Sequence, residues 1–216
     1  MNRIQLFQKP SQARPMTKPK ILWIDGVGSF AMCDSDEVSI GQAFPGNEVD
    51  LAIRGDISRK ACVIRRIGED HLIQPFQSTS IDGQFLDRPT ILRSGSILKM
   101  GDRVELRYTR PTLLSGTGRL EVVSSHRWQP VLNAAILLGD SCIIGPDPDS
   151  HVVCLPPRGI QWQGRFLWIR QADGWICKGV DCPGLTVGEK PQSAPFKLEA
   201  GQRVQADVAS WTLTDS

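Results

Sequence analysis

The chain has 216 residues, with 25 Lys/Arg against 23 Asp/Glu, a net charge of +2 and 40% hydrophobic residues. That length holds one large domain or two of about 100 residues, with enough apolar side chains for a real core. The charge is too small for nucleic acid or an anionic membrane as the main partner. Runs such as "NAAILLG" (133–139) fall far short of the roughly 20 residues of a membrane helix.

Residues 1–19 carry three prolines and no acid, which predicts a flexible N-terminal tail. This tail shows no secretory h-region with a cleavage site, so a cytoplasmic protein is expected. From residue 20 the chain reads as short, partly alternating apolar segments: "KILWI", "SFAMC", "EVSIG", "VDLAI", "ACVIRRI", "HLIQPF", "SILKM" and "RVELRY". The turn dipeptides Asp25-Gly26, Pro45-Gly46 and Asp82-Gly83 punctuate them. No convincing amphipathic helix longer than about ten residues is present, so the pattern predicts an all-β sandwich or barrel. Cys33, Cys62, Cys142, Cys154, Cys177 and Cys182 form no CxxC pair. They read as small buried hydrophobes in a reducing compartment, with a zinc site or a Cys177–Cys182 disulfide as alternatives.

The sequence also matches itself. "VSIGQ" (38–42) aligns with "CIIGP" (142–146), and "CVIRRIGEDHLIQ" from Cys62 with "FLWIRQADGWICK" from Phe166, both 104 residues apart. "IDG" ending at Gly83 aligns with "TVG" ending at Gly188, and "ILRSG" ending at Gly95 with "FKLEAG" ending at Gly201. A spacing that drifts by only two residues over four blocks predicts two tandem copies of one β fold. They span residues 20–110 and 118–216, joined by "RPTLLSGTG".

The first copy resembles the forkhead-associated (FHA) domain family. The likeness rests, in order, on Ile40-Gly41, "DLAI" (50–53), "ISRKAC" (57–62), Asp82-Gly83 and "LRSGSILKMGDRVEL" (92–106). It covers about 75 residues and implies two tandem FHA-like β-sandwich domains with recognition loops at one end. It also implies binding of phosphothreonine peptides rather than catalysis. Carried over residue by residue, the phosphate-binding candidates are Ser58, Arg59, Lys60 and Gln42. Ser58 supplies a hydroxyl, and Arg59 and Lys60 supply charge. Gln42 stands where the family has an arginine and offers only a neutral amide. Ala61 stands where the family has a histidine that braces the loops. The peptide-loop candidates are Gln77, Ser78 and Thr79, in a shortened loop without the family's asparagine.

In the second copy Trp162, Gln163 and Gly164 replace Ser58, Arg59 and Lys60, and Pro146 replaces Gln42. The layout is similar to small bacterial proteins in which a degenerate second FHA-like copy follows the first. Trp162, Trp168, Trp175 and Trp211 predict core packing there, or an interface if exposed. The expected partner is a protein, including a threonine-phosphorylated peptide, and a homo-oligomer is left open. The competing reading is an FHA-derived scaffold that needs no phosphate. No cofactor or metal is expected. An enzyme is not expected either, because there is no nucleophile elbow, phosphate-binding glycine loop or metal quartet. Ser150 and His151 are adjacent and would point to opposite faces of a strand, a poor nucleophile–base geometry.

Overall fold

The computed structural model describes residues 18–112, 115–156, 158 and 161–216, so the tail expected over 1–19 lies almost wholly outside the described residues. Every regular element among them is a β-strand. The first eleven are β1 (Lys20–Ile24), β2 (Gly28–Cys33), β3 (Glu37–Gln42), β4 (Leu51–Arg54), β5 (Cys62–Ile67), β6 (Asp70–Pro75), β7 (Thr79–Ile81), β8 (Gln84–Phe85), β9 (Thr90–Ile91), β10 (Ile97–Met100) and β11 (Val104–Thr109). Then follow β12 (Gly118–Val122), β13 (Arg127–Gln129), β14 (Ala134–Leu137), β15 (Ser141–Gly145), β16 (Val152–Val153), β17 (Arg165–Gln171) and β18 (Gly174–Val180). The last are β19 (Thr186–Val187), β20 (Lys190–Pro191), β21 (Phe196–Lys197), β22 (Arg203–Gln205) and β23 (Ser210–Thr214). The fold is therefore all-β, and no described helix is long and apolar enough to cross a membrane.

Three sheets result. The largest has twelve strands in the order β20-β19-β22-β23-β1-β2-β14-β12-β11-β10-β7-β8. A six-stranded sheet (β13-β4-β3-β5-β6-β9) and a five-stranded sheet (β16-β15-β17-β18-β21) complete the fold. They cover opposite faces of the large sheet's middle. Side chains along a strand alternate between faces, and here both faces are buried. Ile21, Ala31, Cys33, Ala135 and Leu137 enter a first core with Ile40, Ile53, Cys62, Ile64, Ile73 and Trp128. Their strand neighbours Leu22, Ile24, Phe30, Met32, Ala134 and Ile136 enter a second core with Cys142, Ile144, Phe166, Trp168, Cys177 and Trp211. This double burial explains why "SFAMC" and "AAILL" read as continuous apolar runs rather than alternating ones.

The self-matching blocks recur in the hydrogen bonding. Ile40 faces Cys62 across β3 and β5, and Ile144 faces Phe166 across β15 and β17. The Gly95 N–H donates to the Tyr108 carbonyl and the Gly201 N–H to the Leu213 carbonyl, both glycines having positive φ (95° and 84°). Asp82 and Gly83, with φ of 51° and 83°, make the two-residue turn between β7 and β8. Gly188 and Glu189, at 54° and 68°, do the same between β19 and β20.

All six thiols are free, five of them buried, and no disulfide joins Cys177 to Cys182. Burial pushes the Cys62 and Cys154 thiols up to about 12, so these cysteines behave as small apolar side chains. No group of three or more His, Cys, Asp or Glu that could hold a metal occurs among the described residues.

Candidate functional site

The loops after β3, β4 and β6 converge at one end of the six-stranded sheet. Backbone bonds set the frame. The Gln42 N–H donates to the Ser58 carbonyl (3.0 Å), the Ala61 N–H to the Ile40 carbonyl (2.8 Å) and the Phe76 N–H to the Ala61 carbonyl (2.9 Å). Side chains then tie the loops together. The Asn47 amide donates to the carbonyls of Gln42 (2.8 Å) and Arg59 (2.7 Å). The Ser58 N–H donates to the Gln77 side-chain oxygen at 2.7 Å.

Gly41 is the close-approach point. A Cβ there would lie 1.8 Å from the Arg59 carbonyl oxygen and 2.7 Å from its carbon. Only a bare Cα lets the 58–60 turn sit on β3. Gly41→Ala is expected to cost about 1–3 kcal/mol as overpacking forces the backbone apart. It should also loosen the turn, read as faster amide exchange at Gln42, Ser58 and Ala61.

The structure thus brings Gln42, Ser58 and Gln77 together, with the exposed Arg59 and Lys60 beside them. The Gln42 amide is partly committed, donating to the Gly55 carbonyl at 3.2 Å. The Arg59 guanidinium lies 5.1 Å from the centroid of the Phe44 ring, and the Lys60 ammonium 5.3 Å from that of Phe76. Both rings are half exposed, so each cation–π contact is worth about 0.5–1 kcal/mol, small enough for a ligand to draw the cation away. Ser78 is exposed, and its carbonyl accepts from the Gly101 N–H. Thr79 does not share this surface. It is 1% exposed and its hydroxyl donates to the Gln77 carbonyl.

Sequence reasoning missed Asn47, Phe44 and Phe76. Asn47 braces two loops where Ala61 contributes no polar group. The available signal was the "PGN" turn, since asparagine in a turn can reach backbone carbonyls. At the corresponding end of the other core, Trp162 is buried and Gly164 packs against the Asp181 carbonyl.

Ser150 and His151 are both buried. His151 Nδ1 accepts from the Ile143 N–H at 2.9 Å. Asp50 does the equivalent work at β3, accepting from the Ser39 N–H (2.7 Å) and hydroxyl (2.6 Å). His151 is therefore a strand-bracing side chain.

No family model matches the chain, and no curated protein matches it. Among solved structures it is similar to an N-terminal FHA domain from EssC, a component of the bacterial Type VII secretion apparatus. The match has 10% identity and a TM-score of 0.26, covering 91% of this chain and 93% of that one.

Proposed function

We propose that this chain is a protein-interaction module. Its working surface is the loop end holding Ser58, Arg59 and Lys60, and its ligand is a phosphothreonine-containing peptide bound weakly. One observation carries the reading. An exposed hydroxyl and two exposed cations sit on a turn held by Gln42, Asn47 and Gln77. In this reading Ser58 donates its hydroxyl to a phosphate oxygen, Arg59 supplies a directed charge-assisted bond, and Lys60 adds charge at the rim. Gln42 offers what remains of its amide, and Gln77 with Ser78 lies alongside the peptide.

Hydrogen bonds to charged groups are worth roughly 1.5–3 kcal/mol net. A neutral Gln42 in place of an arginine therefore weakens binding by about one to two factors of ten. We expect Arg59→Ala to abolish any preference for the phosphorylated form, and Gln42→Arg to strengthen phosphopeptide binding about tenfold or more. Matched phosphorylated and unphosphorylated threonine peptides, selected from a library and titrated against the three proteins, provide the check. Equal affinity for both forms in all three sinks the phosphate reading. A phosphate-independent scaffold is the second reading. The half-exposed Phe44 and Phe76 and the commitment of the Gln42 amide to Gly55 favour it.

A further inference from the structure

We infer that the chain is two copies of one β unit that have exchanged their first strands, so that neither unit is complete without the other. Read inward from its two edges, the twelve-stranded sheet runs β8-β7-β10-β11-β12-β14 and β20-β19-β22-β23-β1-β2. Position by position the strands correspond. β7, β8, β10 and β11 each match a strand about 105 residues later. The last two positions invert. β12 and β14 follow the first unit's final strand in the chain, whereas β1 and β2 precede the whole second unit.

The register supports the correspondence. Leu106 and Tyr108 of β11 face Val122 and Leu120 of β12. Trp211 and Leu213 of β23 face Ile24 and Leu22 of β1. Leu120 therefore holds the place of Leu22, and Val122 that of Ile24.

The connections give the physical reason. Thr109 pairs with Arg119, so the segment between β11 and β12 is a hairpin connection inside one sheet. Closing a short loop costs less chain entropy than closing a long one, and consecutive strands pair by preference. β12 therefore takes the edge of β11. The hairpin β1–β2 is left to pair with β23, the last strand of the chain.

The two halves meet where β2 and β14 run parallel, from Phe30 opposite Ala134 to Cys33 opposite Leu137. Ions close the seam. Arg66 pairs with Asp36 (2.7 Å) and Arg170 with Asp34 (2.6 Å), while Asp140 takes both arginines at 3.4 and 3.7 Å. The second unit lacks the hydroxyl and cations of the first at its loop end. Its contribution is structural: β12 and β14 complete the first unit's part of the large sheet, and β13 pairs with β4 in the six-stranded sheet.

The full chain with a protease site inserted between Arg110 and Ser115, then cut under native conditions, tests this. We expect the cut halves to elute as one particle and to unfold in one transition. Cysteine pairs separate exchange from simple adhesion. Trp23 faces Thr212 across β1 and β23, so W23C/T212C should join the cut halves by a disulfide under mild oxidation. The unexchanged arrangement would place Trp23 opposite Arg107, within the first half, so W23C/R107C should gain no disulfide inside that fragment, read as two extra free thiols after the same oxidation. The cut wild-type chain, with its six native thiols, is the blank. Halves that elute apart overturn the inference. So does a link in W23C/R107C, or the absence of one in W23C/T212C, however the particles elute.

Discussion

Acidification from pH 6.5 to about 4 is expected to remove roughly 6 kcal/mol of stability, about 3 kcal/mol from each of two buried histidines. His71 is 2% exposed and His151 0% exposed, and both are pushed down from 6.5 to about 4. For His71 the main cause is burial, followed by the nearby Arg66 and Arg110 charges, with Asp70 opposing. For His151 it is burial, with Asp149 opposing. Between pH 6.5 and 4 the unfolded chain binds protons that the folded one refuses. Stability is therefore complete above pH 6.5 and lost as the pH falls.

Geometry agrees with that direction. His151 Nδ1 accepts the Ile143 N–H, so a proton on that nitrogen would set two donors against each other. His71 Nδ1 lies 2.9 Å from the Tyr108 hydroxyl, and burial pushes that phenol up to about 12. Total stabilities of about 5–15 kcal/mol are usual, so a loss of that size removes a large part of the margin and should lower the urea midpoint strongly in mild acid. Urea midpoints measured from pH 7.5 to 4 check this. His151→Asn keeps an acceptor for Ile143, and His71→Asn one for Tyr108. Each should remove about half of the pH slope, and a slope unchanged in both would contradict the assignment.

Trp211→Ala is expected to cost about 3–5 kcal/mol, the range for deleting a buried large aromatic. Trp211 is 1% exposed on β23. Its ring centroid lies 5.7 Å from that of Phe166, edge to face, and 5.4 Å from that of Trp168. Its indole N–H has no acceptor among the described residues, so Trp211→Phe forfeits no hydrogen bond and should cost markedly less. The deletion empties the second core, yet β1, β2 and β14 have side chains in both cores. The whole far-UV circular dichroism transition should therefore move to lower urea together. A shift of only half the amplitude would mean that the two cores unfold separately.

Much of the local structure follows from the chain itself. The alternation in "RVELRY" and the left-handed turn at Asp82-Gly83 depend on near neighbours, and the structure has a strand and a tight turn there. The resemblance in motif order leads us to expect Gln42, Ser58 and Gln77 at one loop end, and hydrogen bonds link them there. Other features depended on tertiary contacts. Whether Thr79 faces solvent or core depends on which strand covers it, and Met100 of β10 pairs with it. Asn47 became a brace only because the Gln42 and Arg59 carbonyls came within its reach. The partner of β1 was the least legible of all. Backbone N–H and C=O groups are the same at every residue, so a strand's hydrogen bonds carry no address in the amino-acid code. The short connection from β11 to β12 is written in the chain, but the pairing of β1 with β23 also depended on the burial of both faces of β1, β2 and β14, which exists only once the chain is folded.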